Sequence, residues 1–156
     1  MAKIRVVEGE VTAIKTDALV AVINPKKCVG KLHEQIKSRS GNLFHALAEA
    51  EMPLRSGQVL YVEALIPHGG LNKSVIFVAD ESKSVYKVVS LALAASTKYK
   101  VASVCIPTFD ADVSDLLELA KAIADFIKTK PPIEEIIIVV SNSDDKFILD
   151  DELWRV

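Results

Sequence analysis

Polar and apolar positions change their period several times along the chain, and each change marks an element. Residues 3–7 alternate loosely and end at Glu8-Gly9-Glu10, which predicts a short strand. Residues 18–23 (ALVAVI) form an unbroken apolar run. Continuous rather than alternating apolarity predicts a strand covered on both faces. Asn24-Pro25 closes it, because proline lacks an N–H and steers the preceding residue away from helix. Residues 32–39 fit a short helix broken by Gly41, and Asn42 is the expected N-cap of a second helix over 43–52. Residues 58–65 and 74–79 read as strands. Pro67, His68, Gly69, Gly70 and Asn72 between them supply turn chemistry, so a hairpin-like pair is expected.

The second half alternates helix and strand. Val85, Val88, Val89, Ala92, Leu93 and Ser96 recur at helical spacing within 84–98. Residues 102–106 are another buried strand, stopped by Pro107. Over 113–128, Val113, Leu116, Leu117, Ala120, Ile123, Ala124 and Ile127 predict one apolar stripe. Asp112 or Ser114 caps its start, and Lys128 and Lys130 suit its negative end. Pro131-Pro132 ends this helix, residues 135–141 (EIIIVVS) form the last buried strand, and 142–156 read as an acidic C-terminal tail with some helix. The alternation predicts an α/β fold: a single domain over 1–156, built as a three-layer α/β/α sandwich with a central mixed, mostly parallel sheet.

Composition acts chiefly by exclusion. The 19 Lys+Arg oppose 21 Asp+Glu, for a formal charge of -2. Phosphate backbones are bound by clustered positive charge, so no general nucleic-acid or anionic-membrane binding is expected. Aromatics at 6% are too few for a platform on which single strands stack. Cys28 and Cys105 make no disulfide framework and cannot complete a four-ligand zinc site. The opening MAKIRVVEGE lacks the apolar stretch of a secretory signal, and no apolar run approaches the roughly 20 residues of a membrane helix. The expectation is a cytoplasmic protein with no metal and no cofactor. Its oligomeric state stays open.

Ligands of open α/β sheets sit outside the carboxyl ends of the strands. The loops to consider are therefore 24–31, 107–112 and 141–145. His33, His45 and His68 fall on different elements, in no arrangement that suggests nucleophilic catalysis, and His33 reads as a surface histidine. Cys28 sits among Lys26, Lys27 and Lys31, whereas Cys105 reads as a core residue.

The order of short motifs resembles a macro domain, the ADP-ribose-binding α/β/α module. That family opens with G-D-I-T, then D-A-I-V-N-A-A-N, then a glycine-rich loop leading into a helix. Here Gly9-Glu-Val-Thr12 precedes Asp17-Ala-Leu-Val-Ala-Val-Ile-Asn24. The later family pattern looks like Ser56-Gly57-Gln-Val, Val75-Ile76-Phe77 and Ser103-Val-Cys-Ile-Pro107. The resemblance implies that Glu10 and the Val11 backbone hold a base, Asn24 a distal ribose, and Gly30, Lys31 and Leu32 a first phosphate. Thr108, Phe109, Asp110, Ala111 and Asp112 would form the far side. In some hydrolases of the family the residue matching Asn24 is catalytic. The sequence departs from the pattern where the first family asparagine falls on Ala21, where the first phosphate loop keeps only Gly30, and where the second gains two carboxylates and no glycine. Carboxylates facing a diphosphate repel it. The expected function is thus binding of ADP-ribose or another nucleotide-like metabolite through an altered diphosphate loop, without catalysis. The alternatives are hydrolysis of ADP-ribosyl or O-acyl-ADP-ribose esters, and a vestigial pocket in an interaction domain.

Overall fold

The computed structural model describes residues 2–23, 31–64, 66, 68–81, 84–108 and 112–154. Among them, six strands form one sheet in the order β1-β6-β5-β2-β4-β3. These are β1 (Lys3–Glu8), β2 (Thr16–Ile23), β3 (Val59–Glu63), β4 (Asn72–Ala79), β5 (Ser103–Pro107) and β6 (Glu135–Val140). All neighbours pair in parallel except β3, which returns antiparallel along β4 with Tyr61 opposite Ile76. The expected hairpin-like pair and the mixed, mostly parallel sheet are both present.

The apolar runs divide between two faces with the period of two that a strand imposes. Ala18 and Val20 of β2 join one core, with Ile76, Val78, Val104, Ile106, Ile136 and Ile138. Leu19, Ala21 and Ile23 join the other, with Val75, Phe77, Cys105, Ile137 and Val139. The first core is covered by α3 (Val85–Lys98), α4 (Val113–Lys128) and α5 (Ser143–Leu153); the second by α1 (Lys31–Ser40) and α2 (Leu43–Glu49). The expected three layers follow.

The helix ends show which local signals act. Ser84 Oγ accepts the Lys87 N–H at the start of α3. Asp112 and Asp115 form a reciprocal capping box on α4, one of the two caps expected there. Asn42 precedes α2 as expected, but its side chain caps nothing. The stripe of α4 is also rotated from expectation. Leu116, Leu119, Ala120, Ala122 and Ile123 are buried, whereas Val113 and Leu117 are exposed. The helix is apolar around more than half its girth, so the neighbours α3 and α5 select the buried face. The segment expected as an acidic tail is mostly α5, which packs against β1, β6 and α4 through the fully buried Leu149.

Two features fix the sheet's lower edge and the return of the chain to it. Asp17 accepts the Ala102 N–H on Oδ2 (3.0 Å), its own N–H donates to Ser103 Oγ (2.8 Å), and Lys73 Nζ lies 3.5 Å from Oδ1. The chain before β4 passes so close to the end of α1 that a Cβ on Gly69 would stand 2.5 Å from the Arg39 carbonyl. His68 Nδ1 there accepts the Gly70 N–H at 3.0 Å and lies 3.0 Å from Ser40 Oγ.

Candidate functional site

Because β1, β6, β5 and β2 run parallel, their carboxyl ends converge on one edge of the sheet. A cleft of about 720 Å³ opens there. That is within the usual range for a small-molecule site, roughly 300–1,000 Å³. Its lining comes from four places. Gly9, Glu10 and Val11 leave β1; Lys31, Leu32 and Gln35 belong to the first turns of α1; Pro107 and Thr108 end β5; and Val139 to Ser141, with Asn142 and Asp145, pass from β6 into α5.

Gly9 allows the chain to turn over the sheet edge. Its φ of 148° is one that side-chain-bearing residues rarely adopt, and its N–H donates to the Val140 carbonyl at 3.0 Å. A 3-10 turn, Val11–Ala13, follows directly. The Val11 carbonyl accepts the Ile14 N–H and the Cys105 thiol. Burial pushes that thiol up to about 12, so Cys105 is a packing residue, as its sequence context suggests. Glu10 is tethered. The Thr12 hydroxyl donates to Glu10 Oε1 at 2.5 Å and accepts from Arg39 Nε at 3.1 Å, and Arg39 Nε lies 3.8 Å from the same Glu10 oxygen.

At the other wall stands α1, where Lys31 places a full positive charge on the rim, which suits an anion. Thr108 is buried at the end of β5 yet reaches the cleft. At the start of α5, Asn142 Oδ1 accepts the Asp145 N–H at 2.8 Å while its Nδ2 donates to Asp145 Oδ2 at 3.3 Å.

Glu10, Val11, Lys31, Leu32 and Thr108, all singled out from the sequence, are therefore brought together in one cleft. Asp112 is not among its lining residues, and its carboxylate is engaged in the cap of α4. Asn24, Gly30, Phe109, Asp110 and Ala111 lie outside the described residues. Ser141, Asn142 and Asp145 belong to the third loop marked at the strand ends, whereas Gln35 was not anticipated; its signal is that it follows Lys31 by four on one helix face.

The histidines depart most from expectation. His33 is buried, not a surface residue, and so is His45. His33 Nε2 lies 2.8 Å from the Val22 carbonyl, and His33 Nδ1 lies 2.8 Å from His45 Nε2. A carbonyl only accepts, so His33 carries its proton on Nε2 and receives the His45 Nε2 proton at Nδ1. His45 Nδ1 is left buried and unpartnered, which suits a lone pair and not a proton. Burial lowers the affinity of both rings for a proton, the Val22 bond partly opposing this at His33; for His45, burial, His33 and Lys37 together bring it down to about 4. Both rings pack on Phe77, His33 stacked and His45 edge-on. This neutral pair joins α1 and α2 to β2 and β4 beneath them.

No family model matches the sequence, and no curated protein matches it significantly. Solved structures do match. The Trypanosoma brucei macrodomain crystallised with ADP-ribose aligns with a TM-score of 0.82 at 12% identity, covering 95% of this chain and 68% of its own. The chain has the macrodomain fold. The macro domain of ganglioside induced differentiation associated protein 2 superposes with a TM-score of 0.79 at 15% identity, over 97% of this chain and 83% of that one. The DarG macrodomain of Mycobacterium tuberculosis gives 0.68 at 18% identity, over 88% and 98%. This macrodomain fold spans about two thirds of the trypanosomal chain.

Proposed function

We propose that this macrodomain-fold protein binds ADP-ribose or a closely related nucleotide metabolite, as a binding module and not as a catalyst. The observation that carries this reading is the open cleft at the carboxyl edge of the sheet, with complementary chemistry at its two ends. One end presents the Glu10 carboxylate, an acceptor suited to the exocyclic amine of adenine. The other presents the Lys31 ammonium on α1, suited to phosphate. The neighbour crystallised with ADP-ribose shares the architecture that forms such a cleft.

The affinity is modest in this reading. Asp145 adds negative charge to the rim, and only one full cation, Lys31, lines the cleft among the described residues. Calorimetry with ADP-ribose is the direct test. The expected dissociation constant is in the micromolar range, and Glu10→Ala weakens it about tenfold, the scale of one hydrogen bond to a charged group. No heat at millimolar ADP-ribose would falsify the reading.

A further inference from the structure

The Glu10 carboxylate is held by two residues that do not line the cleft. Thr12 is almost wholly buried, and Arg39 stands at the far end of α1, half exposed. The Thr12 hydroxyl has one proton and gives it to Glu10 Oε1; its lone pair takes the proton of Arg39 Nε. Arg39 itself is 3.8 Å from Oε1. One oxygen of the carboxylate is thereby committed, while Oε2 has no partner among the described residues. Lys31, Gln35 and Arg39 lie four apart on α1, so a single helix face runs from the phosphate end of the cleft to the clamp behind Glu10. Arg39 is further located by the close passage of Gly69 over its carbonyl.

We infer that Thr12 and Arg39 are positioning residues that set the base specificity of the cleft, by fixing which oxygen of Glu10 a bound base meets. The inference rests on the nucleotide reading above. Glutamate has one more rotatable bond than aspartate, and an untethered carboxylate here would swing and accept from many geometries. The clamp removes that freedom. Oε2 is an acceptor only, so it pairs with an exocyclic amine, as on adenine, and opposes a carbonyl oxygen at the same place, as on hypoxanthine. A site arranged around one hydrogen bond disfavours the analogue that sets a second acceptor against its acceptor.

The test uses two probes titrated into the same chain: ADP-ribose and its hypoxanthine counterpart, in which the exocyclic amine becomes a carbonyl and the adjacent N1 gains a proton. The wild type is expected to prefer ADP-ribose by about tenfold. In Arg39→Ala and Thr12→Val the preference falls to about twofold, because the carboxylate can rotate; Arg39→Lys restores part of it. Glu10→Gln inverts the preference, since Thr12 still donates to Oε1 and the amide nitrogen then faces the base. In Glu10→Gln combined with Thr12→Val the inversion is lost. A merely destabilising effect would weaken both probes together and leave the ratio unmoved. Should wild-type protein bind both probes equally, or should Arg39→Ala keep the wild-type ratio, the clamp has no such role although the nucleotide reading stands. Should neither probe bind at millimolar concentration, the nucleotide reading fails and this inference with it.

Discussion

The two faces of the sheet are built differently. The face under α3, α4 and α5 is a broad apolar core in which long helices lay Val89, Leu93, Leu119 and Ile123 onto alternate strand residues. Its buried Ser96 donates within its own helix, to the Ala92 carbonyl at 3.0 Å. The face under α1 and α2 is covered by shorter helices, and polar groups enter it from several elements. His33 and His45 bond each other, Asn72 reaches the Ile14 carbonyl and Thr16, and Thr12 joins Glu10 to Arg39. A core of hydrocarbons tolerates imprecise neighbours, whereas a buried polar group needs a partner at one distance and angle. The first face therefore supplies stability. The second supplies defined positions, and the α1 wall of the cleft belongs to it.

The strongest way to break that division is to damage the apolar face and watch the cleft. Leu119 on α4 is fully buried, and Leu119→Ala removes its packing and leaves a void. The expected loss is about 3 kcal/mol of unfolding free energy, readable by urea denaturation. The ADP-ribose dissociation constant of the folded variant should change by less than about twofold, since additivity holds between sites with no shared partners. A tenfold change in affinity would show that the two faces are coupled through the sheet.

The second test sharpens the polar side through pH. Both histidines hold protons less readily in the folded chain than in the unfolded one, His45 down to about 4 from an ordinary 6.5. Between those values the unfolded chain binds more protons, so stability is complete above about 6.5 and falls as the pH drops toward 4. The expected loss across that window is about 2 kcal/mol, after the contribution of carboxylates is measured in a His45→Leu background. If wild type and His45→Leu lose stability in parallel, the pair is not neutral in the fold.

These two faces also differ in how far the sequence revealed them. ALVAVI and EIIIVV announce strands covered on both sides, and a run of such strands separated by helices leaves few architectures. Asp112, one of the two residues marked as a cap, announces the start of α4 because capping is a local interaction three residues long. The stripe of α4 was less legible. With Val113, Leu117, Leu119 and Ala122 all apolar, composition permits several faces, and only the packing of α3 and α5 chooses among them. The polar pairs were not legible at all. His33 and His45 are twelve positions apart on separate helices, and Glu10 and Arg39 are twenty-nine apart. Nothing in the local pattern says that such residues meet; that is decided by where the helices cross the sheet. The cleft falls between these cases. Glu10, Lys31, Leu32 and Thr108 could be marked from the order of short motifs and Asp145 from its place just past a strand's carboxyl end, whereas Gln35 lies within α1 and enters the site only through helix orientation.

The smallest effect is the most discriminating. Glu10 and Arg39 are each close to half exposed, and an ion pair in that setting contributes about 0–1 kcal/mol because water screens it and two long side chains must be ordered. Arg39→Ala should therefore shift unfolding free energy by less than about 0.5 kcal/mol in urea titrations, and less again in high salt. Leu119→Ala and Arg39→Ala then form opposite cases: the first large in stability and silent in base preference, the second silent in stability and large in base preference. That opposition follows from the physics of the two faces, since deleting hydrocarbon costs energy wherever it is buried, while deleting an exposed guanidinium removes only the geometry it imposes on its neighbour. If Arg39→Ala instead costs 2 kcal/mol or more, as a rough threshold well above a screened pair, the guanidinium holds α1 onto the 3-10 turn as a structural strut. Its influence on the cleft would then come from displacement of the whole helix, and both probes would lose affinity in proportion.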